Sequence, residues 1–433
     1  MIAPSSYGAL SATSVNTIQG SRPGFTGQSG AKKLGFKIGN TTYSESEGNL
    51  SPSSSGIINY LNAGLRLDEF EVMNLTASDF SPTADYADAD GDLAHLTTPF
   101  SMSPRTFEWK DRNGTTITNY NQTLGCGSSL NLPLTLRITL PDVKVRSRYG
   151  NPSESIPTEL VQEYKIGTAS GICFAKPNQM IVDPSYTWSG WSGSYFYWNN
   201  ESYKNRHPTY GGGYDSTQFD PVNGFKASVN PKFPTTGFPK ASFTLIMTSN
   251  ASDYTFSSND SAVVVDTTGK VTLNSKPSGA VTIKAIFKND TNQVHSYTFN
   301  PTNVWVVPKL NPASASDSNR PYSYGYSDAK LVCGGEMKLP TRADLTNSPQ
   351  KDAPKGWSVF ENRYTRAIGG GVFNEWGNTT GTTYPSSQWI SLSFNEYFTR
   401  ENSSSGIQFI VHPGLGQVWL FSTIFMAYVV CLE

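Results

Sequence analysis

Apolar residues recur at every second position in several stretches of the chain, the period of a strand with one face buried. In "LPLTLRITLP" (Leu132 to Pro141), Leu132, Leu134, Leu136 and Ile138 fall on one side. In "TFEWKDRNGTTI" (Thr106 to Ile117), Phe107 and Trp109 alternate with polar residues ahead of Asn113-Gly114, a dipeptide that tolerates positive φ and predicts a hairpin. "ASGICFAKPN", around Cys173, reads as another strand. Further on, Val263 to Val265 and Lys270 to Leu273 form two short runs either side of a turn at Thr268-Gly269. A Pro277/Gly279 turn follows, then Val281, Ile283, Ala285 and Phe287 at period two. The apolar run from Val418, "VWLFSTIFMAYVVCL", contains Ser422 and Thr423 and falls short of the ~20 residues a membrane helix needs. It predicts two buried strands and no membrane insertion. A helix start stands out in "LPTRADL", where Thr341 with Asp344 three residues on makes a capping-box pattern and Pro349 sets the stop.

Composition sharpens this mainly-β reading. The 433 residues suggest three domains at ~150 each. Charged residues are 15% of the chain, against ~25% in a typical globular protein, and aromatics reach 12%. Net charge is −1 with no block of Lys or Arg, so nucleic acid and anionic membrane surfaces are set aside as partners. The opening residues lack the basic and continuous apolar regions of a signal peptide, so Met1 is expected to begin an excised piece of a longer exported protein, or export information is expected to lie upstream. Sequons such as Asn40, Asn113 and Asn250 decide little in so Asn- and Thr-rich a chain.

Four cysteines lie in two distant clusters, Cys126 with Cys173 and Cys333 with Cys431, which suggests two private bridges and an oxidising compartment. A Cys126–Cys173 bridge would tie strands distant in sequence and stabilise by roughly 3 to 5 kcal/mol.

Along the chain, residues 1–29 are Gly/Ser/Thr-rich and aperiodic, a linker or tail. Residues 30–222 form a long β-patterned region, expected to be a β-sandwich. Residues 223–308, with the valine-rich strand, Asp-x-x-Gly-x-Val and Gly-x-x-x-Ile-x-Ala, resemble the bacterial immunoglobulin-like domain of group 2. Residues 309–433 run from cysteine through LPTR-x-x-L, Trp-Gly, Trp-x-Ser and Gly-x-Val-Trp to a terminal Tyr-Val-Val-Cys. That order resembles the α+β C-type-lectin-like domain that ends invasins and intimins. The resemblance implies that the first and last strands lie together, so that Cys333 and Cys431 meet. "GICFAKPNQM" with "DPVNGF" resembles the invasin-type adhesion domain. The layout is thus similar to the tip of an invasin/intimin-type bacterial surface adhesin, the passenger of an inverse autotransporter, with the family's outer-membrane anchor not present in this chain.

Catalytic chemistry is missing from the pattern. His95, His207, His295 and His412 are not in a paired metal spacing, "GWSGS" is not a nucleophile elbow, and no P-loop or G-x-G-x-x-G opens a helix. The chain is expected not to be an enzyme and to use no cofactor. Three features are candidate binding sites. Asp88, Asp90 and Asp92 around Gly91 form a weak candidate calcium loop lacking the distal glutamate of an EF-hand, against an ordinary Asp-Gly turn. The stretch Tyr186 to Tyr214 is so dense in aromatics that strand alternation cannot bury them all. Trp188, Trp191, Tyr195, Tyr197, Trp198 and Tyr203 are its candidate anchors, against a packed core strand. Trp357, Trp376, Trp389 and Trp419 could form a sugar platform, but the calcium motifs of sugar-binding lectins are absent and the positions match the resembled fold's core.

The resemblance implies a monomeric, rod-like adhesin at the bacterial surface that binds a host-cell surface protein or glycoprotein through its distal domains. The alternatives are a structural protein that mediates contact between bacteria or with a secreted partner, and a carbohydrate-binding module.

Overall fold

The computed structural model describes residues 20–180, 206, 210–310, 322–350, 362–391, 395–421 and 426–433. It is mainly β. The chain forms two compact units: one of residues 1–124 and 129–168, the other of residues 125–128 and 169–433.

The first unit is built on a sheet whose strands run in the order Ile58–Leu61, Thr158–Thr168, Leu134–Val145, Thr106–Lys110 and Thr116–Ile117. The alternation read in the sequence is what orients it. Leu132, Leu134, Leu136 and Ile138 are all buried, and Trp109 lies opposite Leu136 on the same face. The Asn113-Gly114 turn forms with Gly114 at φ 82°, in the region that favours glycine, and it joins strands that pair at Trp109 and Ile117. Tyr164 is fully buried in this core. Its hydroxyl donates to the Leu34 carbonyl at 2.7 Å, and burial pushes its pKa up.

The second unit opens as a sandwich. One sheet runs Phe219–Asp220, Gly224–Lys226, Ile172–Pro177, Ala241–Met247, Lys270–Leu273 and Val263–Val265. The other runs Tyr254–Ser258, Val281–Phe287 and Val294–Phe299. Both predicted strands around Gly269 form, and Val281, Ile283, Ala285 and Phe287 point into the core.

The boundaries read near 222 and near 308 both fall inside this unit. The reason is hydrogen bonding. Ile172–Pro177 takes its neighbours from Gly224–Lys226 and Ala241–Met247, and Val304–Lys309 pairs antiparallel with the terminal strand Val429–Leu432. One hydrophobic core therefore continues from the sandwich into the C-terminal part. Phe233 stacks on Phe225 with centroids 4.4 Å apart and reaches Trp376 at 4.8 Å. Phe238 meets Tyr384 at 5.1 Å and Trp389 at 5.3 Å. Gly237 permits this closure, because a Cβ there would lie 2.6 Å from the Trp305 ring.

Candidate functional site

In the C-terminal part a short helix, Tyr326–Cys333, covers a small core of Phe398, Phe421, Val429 and Cys431. Gly334, at φ 78°, ends it. The disulfide Cys333–Cys431 fastens the helix to the terminal strand, with Cα atoms 5.3 Å apart. Thr341 caps the next helix as its sequence suggests. Its hydroxyl accepts the Asp344 N–H at 3.1 Å, and the Asp344 carboxylate accepts the Thr341 N–H at 2.7 Å.

Around this core the surface carries large apolar groups: Leu331 (78% exposed), Met337 (71%) and Trp419 (45%). Trp376 and Trp389 are buried, while Trp357 lies outside the described residues. Trp419 departs from the packing expected for all four. It stands on the outer strand of the sheet Tyr397–Asn402, Gln408–Val411, Val418–Leu420, opposite Ile410, which in turn faces buried Phe398. The row of side chains thus runs from the core to solvent, and its position in the sheet decides Trp419's exposure.

The aromatic candidates Trp188, Trp191, Tyr195, Tyr197, Trp198 and Tyr203 lie outside the described residues. The residues flanking that stretch are both held by the same segment, 362–366. The Arg366 guanidinium, fully buried and with its pKa lowered by that burial, donates to the carbonyls of Gln179 at 2.7 Å and Met180 at 3.1 Å. On the other side, the Arg363 N–H donates to the Tyr210 carbonyl at 2.9 Å and the Arg366 N–H to the Gly213 carbonyl at 2.6 Å. No motif pointed to Arg366. Only the buried carbonyls it satisfies reveal its role.

The remaining cysteines, Cys126 and Cys173, are joined, with Cα atoms 5.5 Å apart. Beside this bridge the Ser170 hydroxyl meets the His295 ring at 2.7 Å and the Gln293 amide oxygen, packing the start of the second unit onto the Val294–Phe299 strand.

In the first unit, Asp88, Asp90 and Asp92 converge, each offering an oxygen within 4.8 Å of the others. Ser21 is bound there. Its N–H and hydroxyl donate to Asp90 at 2.7 and 2.8 Å, and the hydroxyl also approaches Asp88 at 3.2 Å. Hydrogen bonding from Asp88 and Ser21 pulls the Asp90 pKa down to about 2. Desolvation, followed by the two negative neighbours, pushes Asp92 up. Tyr86, raised to about 12 by burial and then by Asp88, donates to the Asp92 carbonyl at 2.8 Å. Carboxylate oxygens in this arrangement are of the type a hard cation takes, but Ser21 already engages two of the three.

Residues 217–299, the heart of the second unit's sandwich, match the family model for domain 4 of invasin. That match agrees with the invasin/intimin resemblance read from the sequence. Among solved structures, the chain is similar to an invasin titled a bacterial integrin-binding protein, at 15% identity and a TM-score of 0.38, over 81% of this chain and 62% of that one. It is also similar to a C-terminal 282-residue intimin fragment solved with the intimin-binding domain of the translocated intimin receptor. That likeness has 18% identity and a TM-score of 0.35, over 77% of this chain and 87% of the fragment. A third likeness is to intimin-190 from enteropathogenic E. coli, at 21% identity and a TM-score of 0.28, over 48% of this chain and 92% of that one. The chain spans less than two thirds of the length of that invasin. No curated protein matches the chain.

Proposed function

We propose that this chain is the receptor-binding, extracellular part of a bacterial surface adhesin, acting by binding rather than catalysis, with a host-cell surface protein or glycoprotein as its partner. The observation that carries this reading is the match of residues 217–299 to the family model for domain 4 of invasin. The module order expected from the sequence agrees with it: a β-rich adhesion domain, an immunoglobulin-like domain and a C-type-lectin-like domain. The receptor surface is assigned to the C-terminal part, where Trp419, Leu331 and Met337 stand in solvent on a core stapled by Cys333–Cys431. Trp and Tyr anchors bind well because they cover much area at small entropic cost. The aromatic stretch with Trp188, Trp191, Tyr195, Tyr197, Trp198 and Tyr203 is proposed as its companion, since its described flanks are held by the same part of the chain.

The test is binding of the whole chain to epithelial cells by flow cytometry. Truncation after Pro308 is unsuitable, because it removes the strand that pairs with Val304–Lys309 and exposes Phe233 and Phe238. Point substitution keeps the fold: saturable binding that Trp419→Ala weakens supports the reading. Absence of saturable binding, together with concentration-dependent association in sedimentation, would favour contact between bacteria instead.

A further inference from the structure

A groove of about 550 Å³ lies on the solvent face of the first unit's sheet, between the strands Leu134–Val145 and Thr158–Thr168 and a wall formed by the turn Ser53–Ser55. Its polar lining comes from Ser53, Ser54, Arg137, Gln162, Glu163 and Lys165. The strand register sets Arg137 directly opposite Glu163, and its Nη1 donates to that carboxylate at 3.0 Å. The Ser53 hydroxyl reaches the other Glu163 oxygen at 3.4 Å. Glu163 is thus committed to two donors. Lys165, by contrast, has no carboxylate within ion-pair distance among the described residues.

The wall is held in place before any ligand arrives. The Asn59 side chain, on the neighbouring strand, accepts the Ser51 N–H at 2.8 Å and donates to the Ser51 carbonyl at 2.8 Å. The Ser55 hydroxyl closes the turn on the Pro52 carbonyl at 2.7 Å. Gln162, opposite buried Ile138, turns its side chain to the other face of the sheet, where its amide donates to Glu45 at 2.9 Å, so only its backbone borders the groove. Preorganised polar groups of this kind favour a ligand whose hydroxyls can replace water at each of them.

The lining's apolar share is limited to Pro52 and Val161, which gives an aliphatic or aromatic side chain little to bury against. What remains is a mixed set of donors and acceptors with one uncommitted cation. We propose that this groove binds an acidic sugar, its hydroxyls on Ser53, Ser54 and Glu163 and its carboxylate on Lys165 and the free edge of the Arg137 guanidinium. The groove belongs to the first unit and the surface assigned to the protein receptor to the second, and they share no residue, so each can fail without the other.

The experiment titrates the full chain with sialyllactose and, as the neutral counterpart, lactose, by calorimetry. Sialyllactose is expected to bind saturably and lactose at least about tenfold more weakly, as loss of one charge-assisted contact predicts. Lys165→Gln should weaken sialyllactose by about tenfold without moving the thermal unfolding midpoint, since Lys165 makes no ion pair to lose, and Lys165→Arg should restore it. Failure of sialyllactose to bind at millimolar concentration overturns the proposal. So does binding that Lys165→Gln leaves unchanged.

Discussion

One carboxylate oxygen of Glu375 accepts both the hydroxyl of Thr236, at 2.6 Å, and its backbone N–H, at 2.8 Å. The other oxygen takes the Thr235 hydroxyl at 2.7 Å and the Gly369 N–H at 2.8 Å. Glu375 is fully buried, and desolvation pushes its pKa up against the pull of these donors. It lies on the helix Val372–Trp376 of the C-terminal part, whereas Thr235 and Thr236 stand at the start of the strand Thr236–Gly237, which pairs parallel with Val304–Lys309. The carboxylate is therefore a peg through one continuous core.

Removing the peg leaves several buried donors without an acceptor. Glu375→Ala is expected to cost at least about 3 kcal/mol, and Glu375→Gln less, because the amide keeps one acceptor oxygen. Chemical denaturation followed by tryptophan fluorescence reads both. A loss within experimental error for the alanine variant would contradict the role given to this residue.

Cys333 and Cys431 close a loop of 98 residues in sequence separation. On the chain-entropy model, Cys333→Ser with Cys431→Ser should lower stability by about 4 to 5 kcal/mol. Thermal unfolding with and without reductant, compared between the wild type and this double variant, checks it. The reductant should have a smaller effect on the variant.

His412 accepts the backbone N–H groups of Gly414 at 3.1 Å and Leu415 at 3.2 Å on its Nδ1. Burial, the leading cause, lowers its pKa in the fold, so the ring stays neutral there. Because the unfolded chain takes up this proton more readily, stability rises with pH across the window between the two values. Below the ordinary histidine range of about 6.5 the second unit should lose stability, and His412→Asn should flatten that slope. Unfolding midpoints measured at pH 7.5 and 5.5 decide the matter. Equal slopes in both proteins would refute it.

Asp90 is held low, at about 2, first by hydrogen bonding with Asp88 and then by the two hydrogen bonds from Ser21. Ser21→Ala removes the hydroxyl and should move the Asp90 pKa up toward the ordinary aspartate range of about 3.9. Carbon-detected NMR titration of the carboxyl resonances measures this directly, and an unmoved value would show that Ser21 is not a cause.

Local pattern alone determined the strands with alternating faces, the Asn113-Gly114 and Gly269 turns and the Thr341 cap. Each depends on neighbours within a few residues, through side-chain period, backbone φ preference or a side chain reaching its own helix end. The convergence of Asp88, Asp90 and Asp92 was legible for the same reason. Tertiary structure decided where one unit ends and the next begins, because strand partners are chosen across long separations: Ile172–Pro177 joins Ala241–Met247, and Val304–Lys309 joins Val429–Leu432. It also decided which tryptophan faces solvent, since Trp376, Trp389 and Trp419 look alike as letters and differ only in what covers them. Nothing in the sequence singles out Glu375 or Arg366. Packing buried both of them and then supplied the hydrogen bonds that make burial tolerable.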